Sequence, residues 1–388
     1  MSEAYGGDQG SDRALIGAIL RNSKKSEMDD SEFGRDRVCE FGEFGEDENL
    51  SNLVKKVEGD SFDLCCMTVK PENVARILPD RITHIKFFPR SSSRIIVAGN
   101  KLGDVGFWNL DHRRDGGTED GIYMYHAHSG SVSGISIHKH CLSKVYTSCN
   151  DGFIRSMDAE KEVFDLIYSS KYSICSLSQR SNDAKCLYFG DASGLLNIWD
   201  ERMGKCSTRK FLHVGRINSI DFNSDNPYTL ATSSSDGNVC VWDLRSIDTI
   251  KPETLNTISH KESVHSAYFS PSGKCLVSSC FDNKVGIHSG INFEETSMIR
   301  HKNQAGIWFA PFRAIWGWDD SHIFIGSTKI GRGVDVISPS QRRTIFTLQS
   351  PHVTAIPCTF DAYPYNVGML AGAISRVQVY LWTMSCGI

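Results

Sequence analysis

The sequence predicts an all-β fold, a seven-bladed β-propeller behind a short acidic N-terminal arm. Three observations carry that prediction. One unit recurs along the chain: a small or polar turn, a five-residue alternating run, then often Trp-Asp. Successive copies are spaced by roughly 42 to 49 residues, the length of four short strands with their turns. No amphipathic helical pattern separates the copies, so the strands have only one another to pack against.

Residues 1–60 stand apart from this pattern. They carry 15 Asp and Glu against 8 Lys and Arg, and a chain net charge of −4 leaves the remaining residues at about +3. "SEFGRDRVCEFGEFGEDE" is rich in Gly and acid and shows no sustained period, so an acidic, largely disordered arm is expected. "DRALIGAILRN" could form a short amphipathic helix on docking. The propeller is expected over 61–388.

The seven units are "GDVGFWNLD" near Trp108, "DGFIRSMD" near Met157, "ASGLLNIWD" at Trp199, "DGNVCVWD" at Trp242, "DNKVGIH" at His288, "GRGVDVI" near Val336 and "SRVQVYLW" at Trp382. Each follows two further strand-like runs, such as "VGRINSIDFN" and "YTLATSSS" ahead of "NVCVWD", with turn residues between them. Radial closure would remove the open edges that such an array otherwise exposes.

In a chain of 388 residues with 40% hydrophobic content, one large core is affordable. There is no apolar run of about 18 residues, so no membrane span is expected. The apolar stretch at residues 14–20 is too short and too late for a signal peptide and has no cleavage pattern after it, so an intracellular protein is expected. The 13 cysteines include an adjacent pair, Cys65 and Cys66, but no C-x-x-C, and are expected to be reduced and mostly buried.

The sequence carries none of the common catalytic signatures. "GNKLGDVG" at 99–106 lacks the lysine spacing of a phosphate loop and leads into a strand. Neither H-E-x-x-H nor G-x-S-x-G occurs. No enzyme, metal or cofactor is therefore expected. Asp151, Asp236 and Asp282, in "NDG", "SDG" and "FDN", suit turns in which a carboxylate bonds nearby backbone N–H groups.

These repeats resemble the WD40 family over about residues 80–385, most faithfully in "SDGNVCVWDLR" at 235–245. In that family Trp-Asp ends the third strand of a blade, and a strand from the chain's start completes the last blade. The last unit here ends at Trp382 with almost no chain left, which makes "SFDLCCMTVK" at 61–70 the candidate closing strand. The resemblance also implies a structural hydrogen-bonding role for His128, His213, His260, His301 and His352, each near the start of a blade. Loops between blades share one face, the top, with the turns between second and third strands. Turns just after Trp-Asp lie on the bottom.

On the bottom, "WDER" at 199–202 and "WDLR" at 242–245 occupy matching places in consecutive blades. They are similar to the WDxR boxes of WD40 substrate receptors, which dock onto the large DNA-damage-binding adaptor of cullin-4 ubiquitin ligases. That likeness implies adaptor contacts for Asp200, Arg202, Asp243 and Arg245. The plainer alternative is that each arginine satisfies groups of its own blade.

On the top, the expected loops and turns carry Lys101, Lys171, Arg216, Lys261, Lys284, Arg300, Lys302, Lys329 and Arg332, interleaved with Phe153, Tyr172, Phe281 and Trp308. Cations attract phosphates, and flat side chains stack on bases. "VARILPDRITHIKFFP", "AGNKLGDVGFW" and "RHKNQAGIWFAPFRAIW" resemble the WD40 group that contains WD repeat-containing protein 76 and the yeast changed-mutation-rate protein, relatives of the small subunit of the UV-damaged-DNA-binding complex. The resemblance implies a nuclear, chromatin-associated protein, present also in the cytoplasm on the wider reading, that binds damaged duplex DNA. Matched by position, His301, Lys302, Asn303 and Gln304 would stand where that subunit probes lesions, although its wedge residues are not reproduced here. A scaffold for histones or other chromatin proteins is the alternative. Within the last motif "FRAIWGW" alternates as a first strand with Phe312, Ala314 and Trp316 facing the core, leaving Arg313 in need of a partner or solvent.

Overall fold

The computed structural model describes residues 63–112, 121–138, 144–158, 163–247, 252–302, 311–329, 332–374 and 377–384. The expected arm, 1–60, lies outside them. The described residues form seven four-stranded antiparallel sheets arranged as a propeller. We number the blades in chain order: blade 1 spans 82–126, blade 2 132–169, blade 3 174–211, blade 4 217–259, blade 5 264–300, blade 6 315–349 and blade 7 357–384. No helix among the described residues is long and apolar enough to cross a membrane.

Burial follows position within the blade. The second strand of blade 1, Ile95–Asn100, is buried at every residue because both of its faces meet neighbouring blades. The outer strand of blade 3, Lys205–Phe211, alternates exposed and half-buried residues because only one face has a neighbour. Aromatic rings fill the seam between blades 1 and 2: Phe107 meets Tyr125 edge-on at 5.7 Å, and Tyr125 meets Phe164 at 5.9 Å. The blades approach closely near the axis. A Cβ on Gly190 in blade 3 would lie 2.5 Å from Cβ of Ile217 in blade 4, so only glycine fits there.

The ring closes through Met67–Arg76, which pairs antiparallel with Gln378–Met384 and completes blade 7. That strand starts later and runs further than the expected 61–70 stretch, because a short 3-10 turn at Leu64–Cys66 precedes it. Asp63 caps the turn by accepting the Cys65 N–H at 2.9 Å. A bulge between Val69 and Val74 bends the strand around the blade edge.

The first strand of blade 6 departs from its fellows. Phe312, Ala314 and Trp316 are buried as the alternation suggests, yet ladder pairing is confined to Ile315–Trp316. Upstream, the backbone turns toward blade 7, where the Arg313 N–H bonds to the Cys358 carbonyl at 3.1 Å. The Arg313 guanidinium finds the hydroxyl of Tyr268 at 3.3 Å. Most described cysteines are buried or half-buried free thiols, but Cys65 is exposed.

Candidate nucleic-acid interface

Top-face cations stand on turns built by a repeated hydrogen-bond relay. In blade 4, Trp242 Nε1–H donates to Thr232 Oγ1 at 2.8 Å, and Thr232 Oγ1 lies 2.8 Å from His213 Nε2. His213 Nδ1 lies 3.0 Å from Asp236, whose other oxygen accepts the Asn238 N–H at 2.9 Å. This network assigns the His213 proton to Nδ1, with Nε2 accepting from Thr232. The relay ties the loop entering a blade to that blade's second turn. Loop and turn therefore share one surface.

Blade 5 repeats the relay with a change. His260, Ser278 and Asp282 take the usual places, and His288 Nε2, 2.9 Å from Ser278 Oγ, stands where blade 4 has Trp242. In blade 2, His128 lies 2.8 Å from Thr147 and 3.5 Å from Asp151. Burial pulls His128, His213 and His260 below the usual imidazole range, so these rings are neutral near pH 7.

Two of these relays, His128 with Cys149 and Asp151 and His260 with Cys280 and Asp282, bring three donor types within 4.8 Å of one another. Their surroundings do not suit a cation. Arg155 Nη1 lies 2.9 Å from His128 Nδ1, and Lys284 lies 4.0 Å from Asp282. Burial raises both thiols to about 12, far from the thiolate a metal requires. Blade 4 builds the same turn with Ser234 in the cysteine's place.

The structure sorts the sequence-derived cations into free and committed groups. Lys101, Arg216, Lys261, Arg300 and Lys302 are exposed and make no ion pair among the described residues. Lys171 is exposed too, its ammonium 5.0 Å from the ring centroid of Tyr172. Lys329 is held by Asp335 at 3.1 Å, Lys284 is half-buried beside Asp282, and Arg332 donates to the Thr354 carbonyl. Tyr172 and Phe281 present exposed rings, whereas Phe153 is half-buried with the Arg155 guanidinium 5.0 Å above it. Asn303, Gln304 and Trp308 lie outside the described residues.

His301 requires a correction. Its side chain is 4% exposed and its Nε2 lies 3.1 Å from Asp335 Oδ2. An imidazole so enclosed offers nothing to a phosphate, and it serves as the blade 6 counterpart of the relay histidines. Sequence reading also missed Leu102 and Val214, large apolar side chains exposed at top-face loop tips. Their place between a Lys and a Gly, or beside a relay histidine, was the available signal.

On the bottom face each arginine folds back on its own aspartate. Arg202 Nε and Nη2 donate to the two oxygens of Asp200 at 3.0 and 2.6 Å; Arg245 does the same with Asp243 at 3.0 and 2.7 Å. Each backbone N–H also donates to the same carboxylate, at 2.8 and 2.9 Å, closing a tight side-chain turn. The Arg202 fork holds the Asp200 carboxyl down at about 2. The guanidinium faces not used by these forks are exposed. Tyr228 stands beside them, with Arg245 and Arg180 centred 5.3 and 5.4 Å from its ring.

Comparison with known proteins agrees with this architecture. The family model described as "WD domain, G-beta repeat" matches residues 204–243 and 252–289. "WD repeat-containing protein 76" of Xenopus laevis is 27% identical over 348 residues, 86% of this chain and 59% of the relative. The mouse protein of that name is 26% identical, over 86% of this chain and 54% of the relative. "DNA damage-binding protein CMR1" of Scheffersomyces stipitis is 25% identical, over 79% of this chain and 65% of the relative. The chain thus spans between half and two thirds of the length of these curated relatives.

Proposed function

We propose that this chain, a WD40-repeat protein, binds duplex DNA non-catalytically through its top face, acts on damaged DNA or chromatin in the nucleus, and docks onto a cullin-4 ligase adaptor through its bottom face. One observation carries the DNA reading: Lys101, Lys171, Arg216, Lys261, Arg300 and Lys302 reach solvent from loops and a strand end around the ring, and among the described residues none has a carboxylate partner. Exposed cations without internal partners are available to displace counterions from phosphates. Tyr172 and Phe281 add surfaces on which a base can stack. The names of the CMR1 relatives, which include DNA damage binding, support the same reading.

A gel-shift titration of damaged and undamaged duplex at two salt concentrations tests it. Six phosphate contacts would lower affinity about 10³-fold between 50 and 200 mM salt. Alanine at Arg300, Lys302 and Trp308 together should weaken binding and flatten the salt slope. Absence of binding to either duplex at low salt would remove the DNA reading and leave a scaffold for chromatin proteins, although basic histone tails would meet repulsion at this rim.

The adaptor reading rests on the paired Asp–Arg turns and their likeness to WDxR boxes. Pre-ordering by Asp200 and Asp243 fixes both guanidinium planes before a partner arrives, which lowers the entropy cost of docking.

A further inference from the structure

Residues near the start of the first strands of all seven blades line the propeller axis. At its top end they enclose a cavity of about 300 Å³. Arg81, Arg216 and Arg313 line it with His84, His265 and Asn218, and no carboxylate is among the lining residues. Acids enter only deeper along the axis: Asp361, paired with Lys86 at 3.1 Å, and Asp221, whose carboxyl burial pushes up to about 7. Charge is therefore segregated, with cations at the mouth and acids below.

Two of the mouth groups are under-used. The Arg216 side chain makes no hydrogen bond or ion pair among the described residues. His265 is 6% exposed, and its Nδ1 is enclosed without a hydrogen-bond partner. A buried polar atom with no partner is uncommon enough to need an explanation. With no carboxylate among the residues lining the mouth, the Arg216 guanidinium stands near two further cations, Arg81 and Arg313, a setting that an anion would relieve.

We infer that the top mouth of the channel binds a phosphate monoester at the end of a DNA strand, the group exposed at a nick or break. This rests on the reading that DNA lies on the top face. Arginine forks match the oxygens of a phosphate, and a dianionic monoester gains more from three of them than a backbone diester does. Access favours a strand end. The cavity lies at the axis, and a terminal phosphate, which projects from one sugar, enters it more readily than a diester flanked by two. The surrounding lysines, Lys101, Lys261 and Lys302, would hold the adjoining backbone, which favours DNA over a phosphorylated peptide.

The test uses the full chain and two duplexes that differ only at one nick, carrying a 5′-phosphate or a 5′-hydroxyl, with affinity read by fluorescence anisotropy at fixed salt. Wild type should prefer the phosphorylated nick by about tenfold, the equivalent of one good charge-assisted contact. His265→Gln and Arg313→Gln should lose that preference while binding the hydroxyl nick as wild type does, since neither belongs to the rim. Arg313 also bonds Tyr268 of blade 5, so His265→Gln decides the matter if the other variant melts early. Equal wild-type affinities for both duplexes would overturn the inference and leave the DNA reading intact. Failure to bind either would overturn both. A phosphoserine peptide bound by wild type and not by His265→Gln, with the two nicks bound equally, would overturn the DNA-end assignment in favour of a protein ligand.

Discussion

His301 Nε2 and Asp335 Oδ2 lie 3.1 Å apart, both side chains buried, so the end of the last strand of blade 5 is pinned to the third strand of blade 6 next to Lys302. Asp335 also accepts Lys329 Nζ at 3.1 Å and Thr347 Oγ1 at 2.6 Å, and its carboxyl is held down at about 2. Asp335→Ala should destabilise the protein by about 1–3 kcal/mol, as expected when buried partners lose their acceptor. It should weaken DNA binding as well, by releasing His301 and with it the neighbouring Lys302. Lys302→Ala should weaken binding with no change in the denaturant midpoint. An equal loss of stability in both variants would contradict this division.

The relay in blade 4 predicts a second stability effect. Thr232→Val keeps the shape but removes the oxygen that lies between Trp242 and His213. Two buried ring nitrogens then lack partners, at a cost of about 2 kcal/mol. Urea unfolding measures it; a change below about 0.5 kcal/mol would mean that the relay is ornamental.

Buried neutral histidines make stability pH-dependent. Burial pulls His265 down to about 4 and His288 down to about 3, whereas both should titrate near 6.5 once unfolded. Because the folded values are depressed, the unfolded chain binds the extra protons, and stability falls as pH drops through 6.5. Each should cost about 1.4 kcal/mol between pH 7.5 and 5.5. His128, His213 and His260 are shifted in the same sense. Urea titrations at the two pH values should show the drop, and His288→Gln should make it smaller.

Charge reversal at Arg202 and Arg245 together should abolish co-purification of the cullin-4 adaptor. Both side chains are largely exposed, at 60% and 64%, so the denaturant midpoint should change little. Undiminished recovery of the adaptor would reject the bottom-face reading.

The sequence made the repeat legible because each blade is a local structure, four consecutive strands joined by short turns. Relay histidines and turn aspartates were readable for the same reason, since His213, Thr232, Asp236 and Trp242 fall within one repeat. His301 carried two expectations, a structural hydrogen bond and a surface contact, and only folding decides for the first, because its partner Asp335 stands 34 residues away in a repeat without Trp-Asp. The WDxR arginines were placed correctly on their turns. Their engagement by Asp200 and Asp243 depends on backbone geometry that spacing alone does not specify.

By itself, then, the sequence determined the number of blades, the turns between them and the sign of charge on the top-face loops, all of which follow from residues close in the chain. Tertiary structure alone decided which cations remain free, since Lys329 and Arg332 are taken by partners that only folding supplies. It also created the cationic channel mouth. Arg81, Arg216, His265 and Arg313 come from different blades, and radial closure is the only thing that brings them to one axis.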